Sequence, residues 1–135
     1  MVTRAEDLKS KPMTDQTTTV NELRCQVAEF VAAREWEPFH TPKNLSMSLA
    51  IEAAELMEHF QWISGESTEQ LGQQPEELAA VGEELGDVIS YALALANRLD
   101  IDISTTLAAK MQKNAIKYPV EEYRGRYGAK DLPRD

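Results

Sequence analysis

Cysteine is almost absent from this 135-residue chain. Its one cysteine, Cys25, has no partner for an intramolecular disulfide, so a reducing compartment is expected. Residues 1–19 contain no apolar run of the kind that a secretory signal needs. No stretch reaches the roughly 18 to 20 consecutive apolar residues of a membrane span. These absences predict a soluble, cytoplasmic protein that has no membrane partner.

Positive charge is also scarce. The chain has 14 Lys and Arg residues against 23 Asp and Glu residues, which gives a formal net charge of −9. Such a protein is repelled by the phosphate backbone of nucleic acids, and no basic stripe offsets the repulsion. We therefore expect no nucleic-acid partner. If the ligand is nevertheless an anion, the binding site must supply positive charge locally, most economically as a bound metal ion.

Strand alternation and hairpin dipeptides are missing as well, whereas apolar residues recur at helical spacing in four segments. The predicted helices are Val20–Trp36, Pro42–Trp62 with Thr41 as its cap, Pro75–Leu99 and Ser104–Lys117. The stretch SGESTEQLGQQ (64–74) is predicted to be a loop. The pattern predicts an all-α four-helix bundle that associates with copies of itself. Its expected parts are a flexible N-terminal arm (1–17), one helical domain (18–118) and a polar tail (119–135).

Two pairs of acidic residues do not fit a solvated helix surface. Glu52 falls within the apolar stripe of the second helix, and Glu55 follows three residues later on the border of that stripe. Glu84 and Asp87 are likewise three apart in the third helix. Because residues at this spacing project from one helix face, packing of the two helices would bring four carboxylates together. They would repel one another unless a cation compensated them, and an all-oxygen set suits Mg²⁺ or Mn²⁺ rather than zinc.

The acidic pairs alone leave three interpretations open. The simplest is a broad solvated face with no ligand. A di-iron bundle would need Glu-x-x-His pairs, but the residue three positions before His59 is Leu56. His59 itself could orient a metal ligand or be a satisfied core histidine. The third interpretation is phosphoryl transfer, in which a divalent ion neutralises phosphate oxygens.

Four longer segments accompany the acidic pairs. They read EWEPFHTPKNL (35–45), AIEAAELMEHFQW (50–62), EELGDVISYALAL (83–95) and KMQKNAIKYP (110–119). In this order and spacing they resemble the all-α nucleoside triphosphate pyrophosphohydrolase superfamily (MazG-like), and its dCTP pyrophosphatase-like branch most closely. The resemblance covers roughly residues 20 to 120.

This resemblance implies a four-helix subunit in a homodimer or homotetramer. It also implies Mg²⁺-dependent hydrolysis of a (deoxy)nucleoside triphosphate, with dCTP or a modified dCTP-like nucleotide as the expected substrate. The products would be the monophosphate and pyrophosphate, and the role would be sanitising of the nucleotide pool. Glu52, Glu55, Glu84 and Asp87 match the family's metal ligands, with Mn²⁺ as a possible substitute ion. Water activated by the metal would attack the α-phosphorus. Any one of these carboxylates that the metal does not saturate could serve as the general base, and Glu55 is the one expected.

The resemblance also implies a set of substrate-binding residues. Trp36 and Trp62 match the base pocket, and Tyr91 matches a site tyrosine. His40 and Asn44 lie where the loop enters the second helix and are expected to contact the triphosphate or the base, with a capping or packing role as the alternative for His40. Phosphate- and sugar-facing positions match Lys110, Asn114, Lys117 and Tyr118. Without the resemblance, the tryptophans and Tyr91 would be interpreted as core residues, and the residues of the fourth helix as a solvated basic face.

The chain departs from the family pattern at two positions. Val27 stands where the animal dCTP enzymes carry a base-pocket histidine, and a valine cannot hydrogen-bond a cytosine, so the choice of base stays open. Ile51 stands where many relatives have the first Glu of an EExxE motif, which is generally not a metal ligand. Two other functions remain as alternatives: a non-catalytic helical interaction or regulatory protein that retains the fold, and a phosphoribosyl-ATP-type pyrophosphohydrolase. The FHTPKN and FQW segments favour the dCTP-like branch over the latter.

Overall fold

The structure, a computed structural model, describes residues 12–126, and all regular structure in that range is helical. The helices are α1 (Val20–Ala32), α2 (Pro42–Glu58), α3 (Gly65–Leu71), α4 (Pro75–Leu99), α5 (Ile103–Lys117) and α6 (Val120–Tyr123). The prediction of an all-α protein is confirmed. Within the described range, no helix is both long and apolar enough to cross a membrane.

The chain divides into two compact units, Met1–Asp100 with α1 to α4 and Ile101–Asp135 with α5 and α6. Most of the predicted arm (1–17) lies outside the described residues, as does the end of the predicted tail from residue 127 onward. The proposed domain bounds, 18–118, stay a prediction.

The starts of the long helices follow the capping signals of the sequence. α1 begins after a capping box, in which the Thr19 hydroxyl accepts from the Glu22 amide and the Glu22 carboxylate accepts from the Thr19 amide. Thr41 caps α2, with Pro42 in the first turn, as predicted. Asp102 caps α5 by accepting from the Thr105 amide at 2.8 Å. α4 has the predicted bounds.

The structure corrects the prediction in three places. α1 ends at Ala32 rather than Trp36, because residues 33–35 form a turn that brings Glu35 into the left-handed region, with a φ of 53°. α2 ends at Glu58 rather than Trp62. The predicted 64–74 loop was wrong, since most of it is α3, which begins where the Ser64 hydroxyl accepts from the Ser67 amide. α6 was not predicted at all.

The first unit is organised around α4, which packs against both α2 and α1. Among the described residues, its buried apolar side chains are Leu45 of α2 and Leu93, Ala94 and Ala96 of α4. A reciprocal pair of hydrogen bonds joins α1 to α4: Arg24 Nε donates to Asn97 Oδ1 at 2.9 Å, and Asn97 Nδ2 donates to the Arg24 carbonyl at 3.0 Å. This pair fixes the start of α1 beside the end of α4.

The left-handed turn at Glu35 gives a stability prediction. Because a side chain at positive φ is strained and glycine is not, Glu35→Gly should raise the free energy of unfolding by about 0.5–1 kcal/mol. Glu37→Gly is the matched control, since Glu37 lies in the next turn without a positive φ. It should lower the free energy by up to about 1 kcal/mol. Urea unfolding at one fixed protein concentration measures both, and a loss of stability in Glu35→Gly would contradict the prediction.

Candidate functional site

The packing of α2 against α4 brings three of the four predicted carboxylates together. One oxygen from each of Glu52, Glu55 and Glu84 lies within 4.8 Å of the other two. Glu52 and Glu84 are half-buried and Glu55 is exposed. Asp87 stands outside this group of three, but its charge is close enough to act on Glu52. We call Glu52, Glu55, Glu84 and Asp87 the acidic cluster.

Glu52 is the residue most affected by this crowding. Partial burial raises the pKa of its carboxyl above the ordinary value of 4.5, and the negative charges of Glu55 and Asp87 raise it further. A side-chain hydrogen bond with Glu55 and the charge of Glu84 act in the same direction, more weakly. The cluster therefore holds more negative charge than its surroundings compensate.

The donor set of the cluster fits a hard divalent cation. All of its candidate ligands are carboxylate oxygens, and neither histidine nor cysteine belongs to the group. Oxygen-only sets are the ones that Mg²⁺, Mn²⁺ and Ca²⁺ prefer, whereas zinc favours nitrogen and sulfur. A bound divalent ion would also remove the repulsion that raises the pKa of Glu52. The site thus suits a divalent metal cofactor.

A cavity of about 420 Å³ adjoins the acidic cluster and shares Asp87 with it. Its walls are α1, the turn that follows α1, and the second half of α4. The lining residues are Gln26, Val27, Phe30, Val31, Trp36, His40, Asp87, Ser90, Tyr91 and Ala94. Three residues expected at the substrate, Trp36, His40 and Tyr91, thus surround one space that has a carboxylate of the cluster in its wall.

The aromatic rings of this cavity contact one another in sequence. Phe30 and Trp36 make an edge contact with centroids 5.8 Å apart, Trp36 and His40 lie at 6.2 Å, and His40 and Tyr91 at 6.5 Å. Arg34 adds a cation–π contact, its guanidinium carbon 3.5 Å from the Phe30 centroid. The Trp36 side chain is nevertheless 42% exposed, so an aromatic face remains open to a ligand.

Two expected substrate residues of the first unit lie outside the cavity wall. Asn44 donates from Nδ2 to the Phe39 carbonyl at 3.0 Å, a bond that supports the turn before α2. Trp62 follows the end of α2 and is 87% exposed. Since neither residue lines the cavity, their roles in binding stay predictions.

The remaining four expected substrate residues belong to the second unit. Lys110, Asn114 and Lys117 lie on α5, and Tyr118 is the residue that ends it. The Lys117 ammonium is 5.2 Å from the centroid of the Tyr118 ring, which in turn packs edge-on against Tyr123 at 5.2 Å. Their phosphate- and sugar-binding roles also stay predictions.

Two polar residues of the cavity, Gln26 and Ser90, were not predicted from the sequence. Ser90 had a usable signal, because it lies three residues after Asp87 and therefore on the same helix face. Gln26 had no such signal, since only the packing of α1 against α4 shows that Gln26 lines a cavity. A second cavity of about 290 Å³ shares Val27, Val31, His40 and Ala94 with the first and continues toward Asn97.

Residues 47–128 match the MazG-like family, a range that includes the whole acidic cluster. The chain belongs to the MazG-like family. Rat dCTP pyrophosphatase 1 is 44% identical to it over 119 residues, which cover 86% of this chain and 69% of the rat protein. The mouse protein of the same name is 43% identical with the same coverage.

A solved structure agrees with this assignment. A pyrophosphatase from Archaeoglobus fulgidus DSM 4304 is 38% identical to this chain, and the two structures superpose with a TM-score of 0.67. The match covers 80% of this chain and 99% of the archaeal one. The resemblance drawn from the sequence is confirmed.

The raised pKa of Glu52 gives a prediction for the metal-free protein. Because the folded state binds a proton at Glu52 more tightly than the unfolded state, the penalty of ionisation is absent below pH 4.5 and grows as the pH rises above it. Glu52→Gln should therefore raise the Tm in EDTA at pH 7 and leave it nearly unchanged below pH 4.5. The same variant should lose the rise in Tm that Mg²⁺ gives the wild type.

Glu58→Gln is the matched control for this experiment, because Glu58 is an exposed glutamate of the same helix outside the cluster. It should keep the Mg²⁺-dependent rise in Tm. If Glu52→Gln destabilises the metal-free protein at pH 7, the repulsion inferred at the cluster is wrong.

Proposed function

We propose that this chain hydrolyses a deoxynucleoside triphosphate, dCTP or a modified dCTP-like nucleotide, to the monophosphate and pyrophosphate with Mg²⁺. The role would be removal of unwanted nucleotides from the pool. The relationship to dCTP pyrophosphatase 1 makes the chain a nucleoside triphosphate pyrophosphatase, a hydrolase. The observation that carries the finer proposal is the convergence of three carboxylates within 4.8 Å beside a cavity that shares Asp87.

The acidic cluster would serve the triphosphate end of the substrate. Glu52, Glu55, Glu84 and Asp87 would hold the ion, which when bound supplies positive charge to the phosphate oxygens and lowers the pKa of a water. Of the three carboxylates that lie within 4.8 Å of one another, that of Glu55 is the exposed one, so it would take a proton from the attacking water. Attack on the α-phosphorus then releases pyrophosphate. The chain could bind an anionic triphosphate despite its net charge of −9, because the bound ion would make the local electrostatic potential positive.

The cavity would serve the base end. Trp36 and Tyr91 offer aromatic faces on which a base can stack, and His40 lies between them. Stacking binds any base, so these rings supply affinity more than selectivity. Contributions of Asn44 and Trp62, and of Lys110, Asn114, Lys117 and Tyr118 at the phosphates and sugar, remain part of the proposal.

The neighbouring glutamates of α4 allow a sharp test of the metal-assisted reaction. Glu84→Gln keeps the shape of the side chain but removes a charge from the cluster. It should lower the rate of pyrophosphate release from dCTP by about 100-fold or more, since the lost charge stabilisation is worth several kcal/mol. Glu83→Gln is the matched control, because Glu83 is exposed and outside the cluster, and it should retain the wild-type rate.

Three outcomes would contradict parts of this proposal. Equal rates in Glu83→Gln and Glu84→Gln would remove Glu84 from the reaction. Release of inorganic phosphate instead of pyrophosphate would move the attack away from the α-phosphorus. If wild-type protein released pyrophosphate from no canonical or modified dNTP and calorimetry detected no Mg²⁺ binding, the alternative of a helical interaction protein would be favoured.

We further propose that the protein forms a homodimer or homotetramer and acts in the cytoplasm. Self-association is supported by the small core and by large apolar side chains of α4 that are exposed, among them Leu78, Leu85 and Ile89. Two glycines on the same helix, Gly82 and Gly86, have open space where a Cβ would lie. A helix with such a face ordinarily buries it against another chain.

Light scattering tests the assembly. The wild type should have at least twice the subunit mass of 15.2 kDa. Ile89→Glu should shift the mass toward one subunit, since a charge at a buried apolar contact costs several kcal/mol. The matched control is Ile116→Glu on α5, a side chain that is 82% exposed. A monomeric wild type would refute self-association.

A further inference from the structure

The cavity beside the acidic cluster contains one side-chain amide, that of Gln26. Four residues of α1 line this cavity, and the other three, Val27, Phe30 and Val31, have no hydrogen-bonding side chain. Among the described residues, the Gln26 amide makes no hydrogen bond within the protein. An amide at a cavity wall without an internal partner is available to a ligand.

The position of Gln26 along the cavity indicates which part of a nucleotide it would meet. Arg24 contacts Asn97, while the cavity is lined by residues 26–31 of α1 and 87–94 of α4, so the two helices run antiparallel. Gln26 then lies nearer the level of Ala94 than that of Asp87. Those two α4 residues are about 10 Å apart along the helix axis, at about 1.5 Å per residue.

That separation places Gln26 at the end of the cavity away from the phosphates. Asp87 belongs to the acidic cluster, so the triphosphate end of a substrate must lie beside it. The stacking faces of Trp36 and Tyr91 line the same cavity. The group that meets Gln26 beyond them is the hydrogen-bonding edge of the base.

We propose that Gln26 is the residue that reads the base, and that it accepts both 4-amino and 4-oxo pyrimidines. This inference rests on the proposed function of the site. A carboxamide presents one donor and one acceptor side by side. Its oxygen accepts from the 4-amino group of cytosine while its nitrogen donates to N3. After rotation by half a turn, the nitrogen donates to O4 of uracil or thymine and the oxygen accepts from N3–H.

The neighbouring valine strengthens this assignment. Val27 lines both cavities at the next position of α1 and offers a base only van der Waals contact. Selectivity by hydrogen bonding at this end of the cavity therefore depends on the flexible amide of Gln26. Because that amide can rotate, dCTP and dUTP should have kcat/KM values within about 10-fold of each other, the value of about one hydrogen bond.

The test pairs a change in the protein with a change in the base. Full-length wild type and Gln26→Leu are assayed with dCTP, with dUTP and with the deoxynucleoside triphosphate of 2-pyrimidinone, which lacks any group at position 4. Gln26→Leu should lower kcat/KM for dCTP and for dUTP by about 3- to 10-fold each. The loss should be smaller for the 2-pyrimidinone nucleotide, because its contact at position 4 is already missing.

Gln70→Leu is the matched control, because Gln70 is an exposed glutamine of α3 that lines neither cavity. It should leave all three values unchanged. A Gln26→Leu variant that affects the three nucleotides equally, or none of them, overturns the proposal, since a purely structural effect cannot depend on the group at position 4.

Failure of the proposed function can be separated from failure of this inference. If the wild type releases pyrophosphate from none of the three nucleotides, binding of their α,β-imido analogues with Mg²⁺ is measured by calorimetry instead. Suppose that Gln26→Leu raises the Kd of the dCTP and dUTP analogues, and raises that of the 2-pyrimidinone analogue less. That result would support base reading by Gln26 in a protein that is not a hydrolase. Absence of binding, or equal Kd values in wild type and variant, would refute it.

Discussion

Repulsion between carboxylates on two packed helices is the constraint on which the rest of the site depends. α2 and α4 pack so that Glu52 and Glu84 lie close together, and their like charges repel unless a proton or a cation neutralises them. In the metal-free protein, partial burial and the neighbouring negative charges raise the pKa of Glu52. At neutral pH a divalent ion would neutralise the charge of the cluster. The acidic cluster lowers the stability of the metal-free protein, and for the same reason it is suited to binding a metal ion. A bound metal ion would in turn attract an anion that the acidic chain otherwise repels.

The fold serves this site by giving α4 two neighbours. Its contact with α2 forms the acidic cluster, and its contact with α1 forms the cavity, while Asp87 belongs to both. The Arg24–Asn97 hydrogen bonds fix the level at which α1 meets α4. Because the two contacts lie on one helix, the distance between the charged end and the aromatic end of the site is set by the rigid helical rise.

The parts of the structure that are local in sequence were predictable. Short-range signals predicted the Thr41 cap and first-turn Pro42 of α2 and the bounds of α4. Helical periodicity predicted that Glu52 and Glu55 lie on one face. What failed depended on weaker or non-local information. α3 is a seven-residue helix in a glycine- and glutamine-containing stretch without an apolar stripe, so periodicity could not reveal it. Gln26 gave no signal either, because its neighbours across the cavity are more than sixty positions away in sequence.

Two aromatic side chains of the motif segments are largely exposed to solvent. Trp62 is 87% exposed and Phe39 68% exposed, and both lie within the segments that resemble the family's motifs. An exposed aromatic ring is available to stack on a ligand or to pack against another chain. The core of the first unit, limited to Leu45, Leu93, Ala94 and Ala96 among the described residues, is small for its length. This small core and these exposed rings are the observations that support the proposed self-association.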